Sequence, residues 1–158
     1  SKILKNLFLI FIAILFAGCW GKSSLHSQAN LKNELLAYTQ KYDKDGILLV
    51  ATYLNPIYQG EFVTEFEGSD IFIVSIYPTH ISPISININS HPALIQRLNP
   101  NDKLTSLTSI NMPWSNHYKV SLTAQETNVL DLNISLDNNS TANLKFQKVA
   151  RSLYWNTK

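Results

Sequence analysis

The side chains able to do chemistry are few and scattered. The chain of 158 residues holds 4 histidines (His26, His80, His91 and His117) and 1 cysteine, Cys19. The histidines lack the paired spacing by which a zinc site gathers its ligands, so neither a metal nor a cofactor is expected. Glu61, Glu65, Glu67 and Asp70 crowd carboxylates into one short stretch, as an acid–base pair of a hydrolase requires. The competing account is a solvated face whose other side buries Phe62 and Phe66, and the apolar spacing favours it. Serine is abundant but never sits in a Gly-x-Ser-x-Gly elbow. A cysteine nucleophile after position 19 is ruled out, and the 5 glycines are too dispersed to cradle a phosphate. Asp43-Lys44-Asp45-Gly46 echoes the opening of a calcium loop without its later glutamate, and reads instead as a helix-ending turn. No catalytic residue is assigned.

Aromatic side chains offer a second kind of chemistry. Trp114, His117 and Tyr118 form one group, and Tyr154 and Trp155 another. Either could stack on a sugar or a partner protein, although aromatics near strand ends also serve as core or rim packing.

Something must position these groups, and the hydrophobic pattern says what. Ser27 or Asn30 can cap a helix running to about Tyr42, because Leu31, Leu35, Tyr38 and Tyr42 recur at three- and four-residue steps. Strands dominate afterwards. Ile47 to Leu54 is apolar on both faces and stopped by Asn55-Pro56; Ile71 to Tyr77 is a second such run, ended by Pro78. Ile84, Ile86 and Ile88 alternate with polar residues, as do Tyr118 to Ala124 and Leu130 to Leu136. Turn chemistry at Asp137-Asn138-Asn139-Ser140 leads into Leu144 and Phe146, so the last three runs read as an antiparallel meander. Glu61 to Glu67 fits a short helix or a strand, and Thr105 to Ser115 a long loop. The whole predicts a mainly β fold: a small antiparallel β-sandwich, immunoglobulin-like or transthyretin-like, with one N-terminal α-helix. Such sandwiches host unrelated roles, so the fold class does not name a function.

The first twenty residues carry a different pattern. Lys2 and Lys5 precede an unbroken apolar run from Leu7 to Phe16, then small Ala17 and Gly18, then Cys19. Charge, apolar core and small-residue exit make up the secretory signal pattern, and the run is shorter than the roughly 20 residues of a spanning helix. Leu15-Phe16-Ala17-Gly18-Cys19 resembles the lipobox of bacterial lipoproteins. Ala17, Gly18 and Cys19 match its usual form, whereas Phe16 stands where leucine is usual and Leu15 lies one place further back. The resemblance implies a diacylglyceryl group on the Cys19 sulfur and cleavage after Gly18. It divides the chain into a signal peptide (1–18), a lipidated cysteine with its tether (19–26) and one β-rich globular domain (27–158). In that family an aspartate after the cysteine favours the inner membrane; Trp20 stands here, which implies the outer membrane, facing the periplasm.

Charge agrees with such a module. Two of the 13 basic residues, Lys2 and Lys5, fall in the signal, so the remainder carries 11 basic and 11 acidic groups. A neutral domain is not built to bind nucleic acid. The expected role is therefore a non-enzymatic binding or assembly module, held to the membrane through lipid on Cys19, with an envelope protein or peptidoglycan as partner. An envelope hydrolase and a small-molecule or lipid carrier are the alternatives.

Overall fold

The computed structural model describes residues 2–7, 35–57, 66–107, 112 and 114–148. The chain divides into two units, residues 1–33 and residues 34–158. In the first, residues 2–7 are helical, with Ile3, Leu4 and Leu7 exposed. Among the described residues no helix is long and apolar enough to cross a membrane.

The second unit is a β-sandwich of two antiparallel sheets. One sheet orders its strands β1 (Thr39–Lys44), β2 (Ile47–Tyr53), β3 (Ser69–Tyr77), β7 (Asn116–Thr123) and β6 (Leu94–Arg97). The other orders β5 (His91–Pro92), β4 (Pro83–Ile88), β8 (Val129–Leu136) and β9 (Thr141–Gln147). Strand alternation explains the core between them. Leu49, Phe72, Val74, Ile76 and Val120 of the first sheet meet Ile86, Ile88, Leu132, Ile134, Leu144 and Phe146 of the second, all buried. Aromatic rings run through this layer: Tyr38 meets Tyr53 edge-on at 6.3 Å, Tyr53 tilts onto Phe72 at 5.0 Å, and Phe72 meets Phe146 at 5.2 Å. Each such pair contributes about 0.5–1.5 kcal/mol beyond its buried area.

Two tight hairpins set the register. Lys44 pairs with Ile47 across Asp45 (φ 56) and Gly46 (φ 76), and Ile88 pairs with His91 across Asn89 (φ 50) and Ser90 (φ 69). Two central residues with positive φ make a type I′ turn, whose twist matches that of the strands it joins.

Three expectations change. Residues 35–37 are helical, but the chain becomes strand β1 at Thr39, so the helix does not run to Tyr42 and Asp45-Gly46 closes a hairpin instead of ending a helix. Ser27 and Asn30 lie outside the described residues. The later part of the spacing fits both periods: Tyr38 and Tyr42 lie four apart, an even step that also keeps one face of a strand. The meander is also broken. β8 and β9 form a hairpin, but β7 belongs to the opposite sheet, between β3 and β6, and β8 takes β4 as its other neighbour. Finally, a register shift between Pro83 and Ser85 turns Ile84 out to 65% exposure, while Ile86 and Ile88 stay inside. A bulge re-aims one side chain in this way. A short helix, Lys103–Leu107, takes in the first residues of the supposed Thr105 to Ser115 loop, and Met112 of that loop is buried.

Candidate functional site

Polar groups that could react or bind gather in two described places, and alternation dictates both. The outer face of the β1–β2–β3–β7–β6 sheet carries the side chains left over from the main core. Ile71 and Ile73 join Leu54, Phe66, Leu98 and Leu104 in a second, smaller core, which seats the short helix against the sheet. Beside it lies a cleft of about 460 Å³, with Gln96 and Lys119 of the sheet on one side and Asn101 to Leu104 on the other. Asp102 belongs to its rim, and its Oδ1 accepts the Leu104 N–H at 3.0 Å, capping the helix.

Further along the same face, Ser75 and His117 stand directly opposite each other on β3 and β7. Ser75 Oγ and His117 Nδ1 lie 2.6 Å apart. Burial lowers the His117 pKa from its usual 6.5, and a hydrogen bond to the Met112 backbone opposes that shift. The imidazole is thus neutral at pH 7. A serine hydroxyl on a neutral imidazole is the first half of a nucleophilic pair. Here Ser75 is 5% exposed and His117 9%, and the imidazole is bonded to both Ser75 and the Met112 backbone. The pair therefore ties the segment before β7 to β3, and it does not present its hydroxyl to a substrate.

The second cluster closes one end of the sandwich. Asp70, the second residue of β3, faces the core side and is 2% exposed. Its Oδ1 accepts the Tyr53 hydroxyl at 2.8 Å, its Oδ2 accepts the Gln125 N–H at 3.4 Å, and Lys148 Nζ stands 3.5 Å from Oδ2. Lys148 Nζ also donates to the Gln125 carbonyl. Burial first, and Asp70 second, push the Tyr53 hydroxyl far above the usual tyrosine range, so it stays a donor. Nearby, Asn89 Nδ2 donates to Gln125 Oε1 at 3.0 Å, and Gln125 Nε2 meets His91 Nδ1 at 3.1 Å. A carboxylate with this many donors is a structural clamp; removing one partner of such a bond costs about 1–3 kcal/mol.

The residues singled out from the sequence are not brought together. Of the first aromatic group, Trp114 is 57% exposed, His117 lies on the outer face of its sheet, and Tyr118 points into the main core at 6%. Consecutive strand residues face opposite ways, so His117 and Tyr118 cannot share a surface. Tyr154, Trp155 and Cys19 lie outside the described residues, as do His26, Glu61, Phe62 and Glu65. Glu67 is exposed, whereas Asp70 is buried in its clamp, so the acid cluster does not form one solvated face. Among the described residues no group of histidine, cysteine, aspartate and glutamate could hold a metal ion. The Ser75–His117 pair escaped sequence reading because 42 positions separate its members. The only hint was a serine inside an otherwise apolar run.

Fold and clusters together define a small antiparallel β-sandwich in which Tyr53, Asp70 and His117 are bonded internally. No known protein family matches the chain, and no curated protein does. Among solved structures it is similar to a DUF4426 family protein from Pseudomonas aeruginosa PAO1, with a TM-score of 0.41 and 9% sequence identity. The likeness covers 70% of this chain and 93% of that one. At that level it assigns neither family nor role.

Proposed function

We propose that this chain is a lipid-anchored protein of the bacterial envelope, tethered through Cys19 to the outer membrane on its periplasmic side, and that its sandwich is a non-enzymatic binding or assembly module. The observation that carries the reading is the order of residues from Lys2 to Cys19: basic residues, an apolar run, Ala17-Gly18, and then the chain's 1 cysteine. Two or more acyl chains hold a protein to a bilayer stably where one holds it marginally, and Trp20 suits the headgroup zone. The non-enzymatic part of the reading is supported by the buried polar pairs. Ser75 with His117, and Asp70 with Tyr53 and Lys148, direct their hydrogen bonds inward.

Growing a bacterial host that expresses the full chain on a clickable palmitate analogue tests the anchor. The wild-type chain is expected to take up the label and mature to a shorter form. Cys19→Ser is expected to lose the label and accumulate as the uncleaved precursor. A wild-type chain that matures unlabelled, or a variant released into the soluble periplasm, overturns the reading.

A further inference from the structure

We infer that the free edge of β1 docks a second copy of this chain, the two β1 strands pairing antiparallel across a two-fold axis at Tyr42. β1 (Thr39–Lys44) ends its five-stranded sheet and has β2 as its hydrogen-bonded neighbour. The ladder between them fixes which backbone groups are left over. Tyr53 N–H donates to the Tyr38 carbonyl at 2.9 Å, one step beyond the Thr39–Thr52 pair. Bonded and non-bonded pairs alternate along an antiparallel ladder, so Gln40, Tyr42 and Lys44 bond to β2. Thr39, Lys41 and Asp43 then turn their N–H and C=O groups to the free edge, which is a template for another strand. Side chains follow the same alternation. Thr39 Oγ1 lies 2.9 Å from Thr52 Oγ1, and Thr52 stands opposite Ile73 on the outer face of the sheet. Lys41 and Asp43 therefore share that outer face, and both are exposed; Tyr42 points the other way and packs partly against the main core.

Charge selects both the occupant and the register. Pairing about Tyr42 sets Lys41 opposite Asp43 of the second copy, and Asp43 opposite Lys41 of the second copy, on one face of the joined sheet. These are also the residues whose backbone groups point outward, so each pair exchanges both of its N–H···O bonds. Tyr42 meets Tyr42 of the second copy between them, as a cross-strand aromatic pair. The neighbouring registers are repulsive. Sliding one way opposes Lys41 to Lys41, and sliding the other opposes Asp43 to Asp43. Among the described residues neither side chain has a partner within its own chain, so both charges are open to the second copy. β9, an edge of the other sheet, carries Lys145 and no acid, so the same self-pairing is closed to it. The contact is isologous and joins two five-stranded sheets into one. Its ion pairs are exposed and screened by salt, so it is weak in dilute solution; tethering both copies to one bilayer raises their effective concentration.

Disulfide trapping of the full chain, concentrated in mild detergent, tests the register. Opposed Cα atoms of a non-bonded antiparallel pair lie about 4.5 Å apart, within reach of a disulfide. Tyr42→Cys is therefore expected to form a covalent dimer at least fivefold above wild type, whose one thiol, Cys19, sets the background. Gln40→Cys faces Lys44 of the second copy and is expected to stay at that background. Adding Lys41→Asp to Tyr42→Cys is expected to return the dimer to background, because like charges then oppose each other. Adding Asp43→Lys as well, which restores the attraction with the signs exchanged, is expected to bring it back to within twofold. Should Tyr42→Cys melt early, sedimentation velocity of the two charge variants with Tyr42 in place reads the same order: dimer in wild type, monomer in Lys41→Asp, dimer in the exchanged pair. No dimer above background at position 42, equal trapping at position 40, or an exchanged pair that stays monomeric overturns the inference. Neither readout depends on lipid. A chain that dimerises this way but takes up no palmitate would sink the lipoprotein reading and leave the β1 edge standing.

Discussion

His117 is held neutral by its surroundings, and that has a consequence for stability. Burial lowers its folded pKa below the unfolded value of 6.5. The unfolded chain then binds the extra proton more readily than the folded one does. The stabilisation tied to the neutral imidazole is therefore fully present above pH 6.5 and is lost as pH falls through the folded pKa. Urea denaturation at pH 7.5 and at pH 5.5 measures this. The wild-type chain is expected to lose stability between the two, and His117→Gln to lose distinctly less. Equal losses would place the titration elsewhere. Asp70 is satisfied just as locally: Tyr53, Gln125 and Lys148 supply the donors that its buried carboxylate accepts at the sandwich end.

At the scale of elements, the type I′ hairpins decide where the strands pair. Gly46 takes φ +76 and nothing lies within 4 Å of where a Cβ would stand, so a substitution there is resisted by the backbone and not by crowding. Gly46→Val is expected to cost about 1–2 kcal/mol, because a β-branched residue pays most in the left-handed region. Chemical denaturation of the variant checks it; a change within 0.3 kcal/mol (roughly the scatter of ordinary surface substitutions) would mean that the turn tolerates other geometries. Asn89 holds the second turn by a different route. Its Oδ1 accepts the Asp131 N–H at 2.8 Å, and its Nδ2 reaches Gln125, Thr127 and Val129. One asparagine thus links the β4–β5 turn to the chain entering β8.

At the scale of the whole domain, the two sheets share one core and should unfold as one. Phe72 on the first sheet and Leu132 on the second are both fully buried in it. Phe72→Ala is expected to cost about 3–5 kcal/mol and Leu132→Ala about 2–5 kcal/mol, each by opening a cavity that the sandwich cannot close. Both are expected to move a single calorimetric transition to lower temperature; two separate transitions would show that the sheets unfold independently. Crossovers enforce the coupling. The chain passes from β3 to β4, from β5 to β6 and from β7 to β8, and each step carries it from one sheet to the other.

Local signals determined much of this protein by themselves. The apolar runs at Ile47 to Leu54 and Ile71 to Tyr77 identified central strands, because burial on both faces leaves no polar alternation. The alternation through Leu130 to Leu136, with the Asp137–Ser140 turn, identified the β8–β9 hairpin, since both signals lie within a few residues of each other. Tertiary structure decided what depends on distant partners. It drew β7 away from β8 to pair with β3, and it made strand of residues 39–42 by offering them the edge of β2. It set Ser75 against His117 and sank Asp70 beneath Tyr53 and Lys148. Period and turn chemistry are properties of neighbouring residues, so a sequence displays them; register between strands is a property of the packed sheet, and only packing selects it.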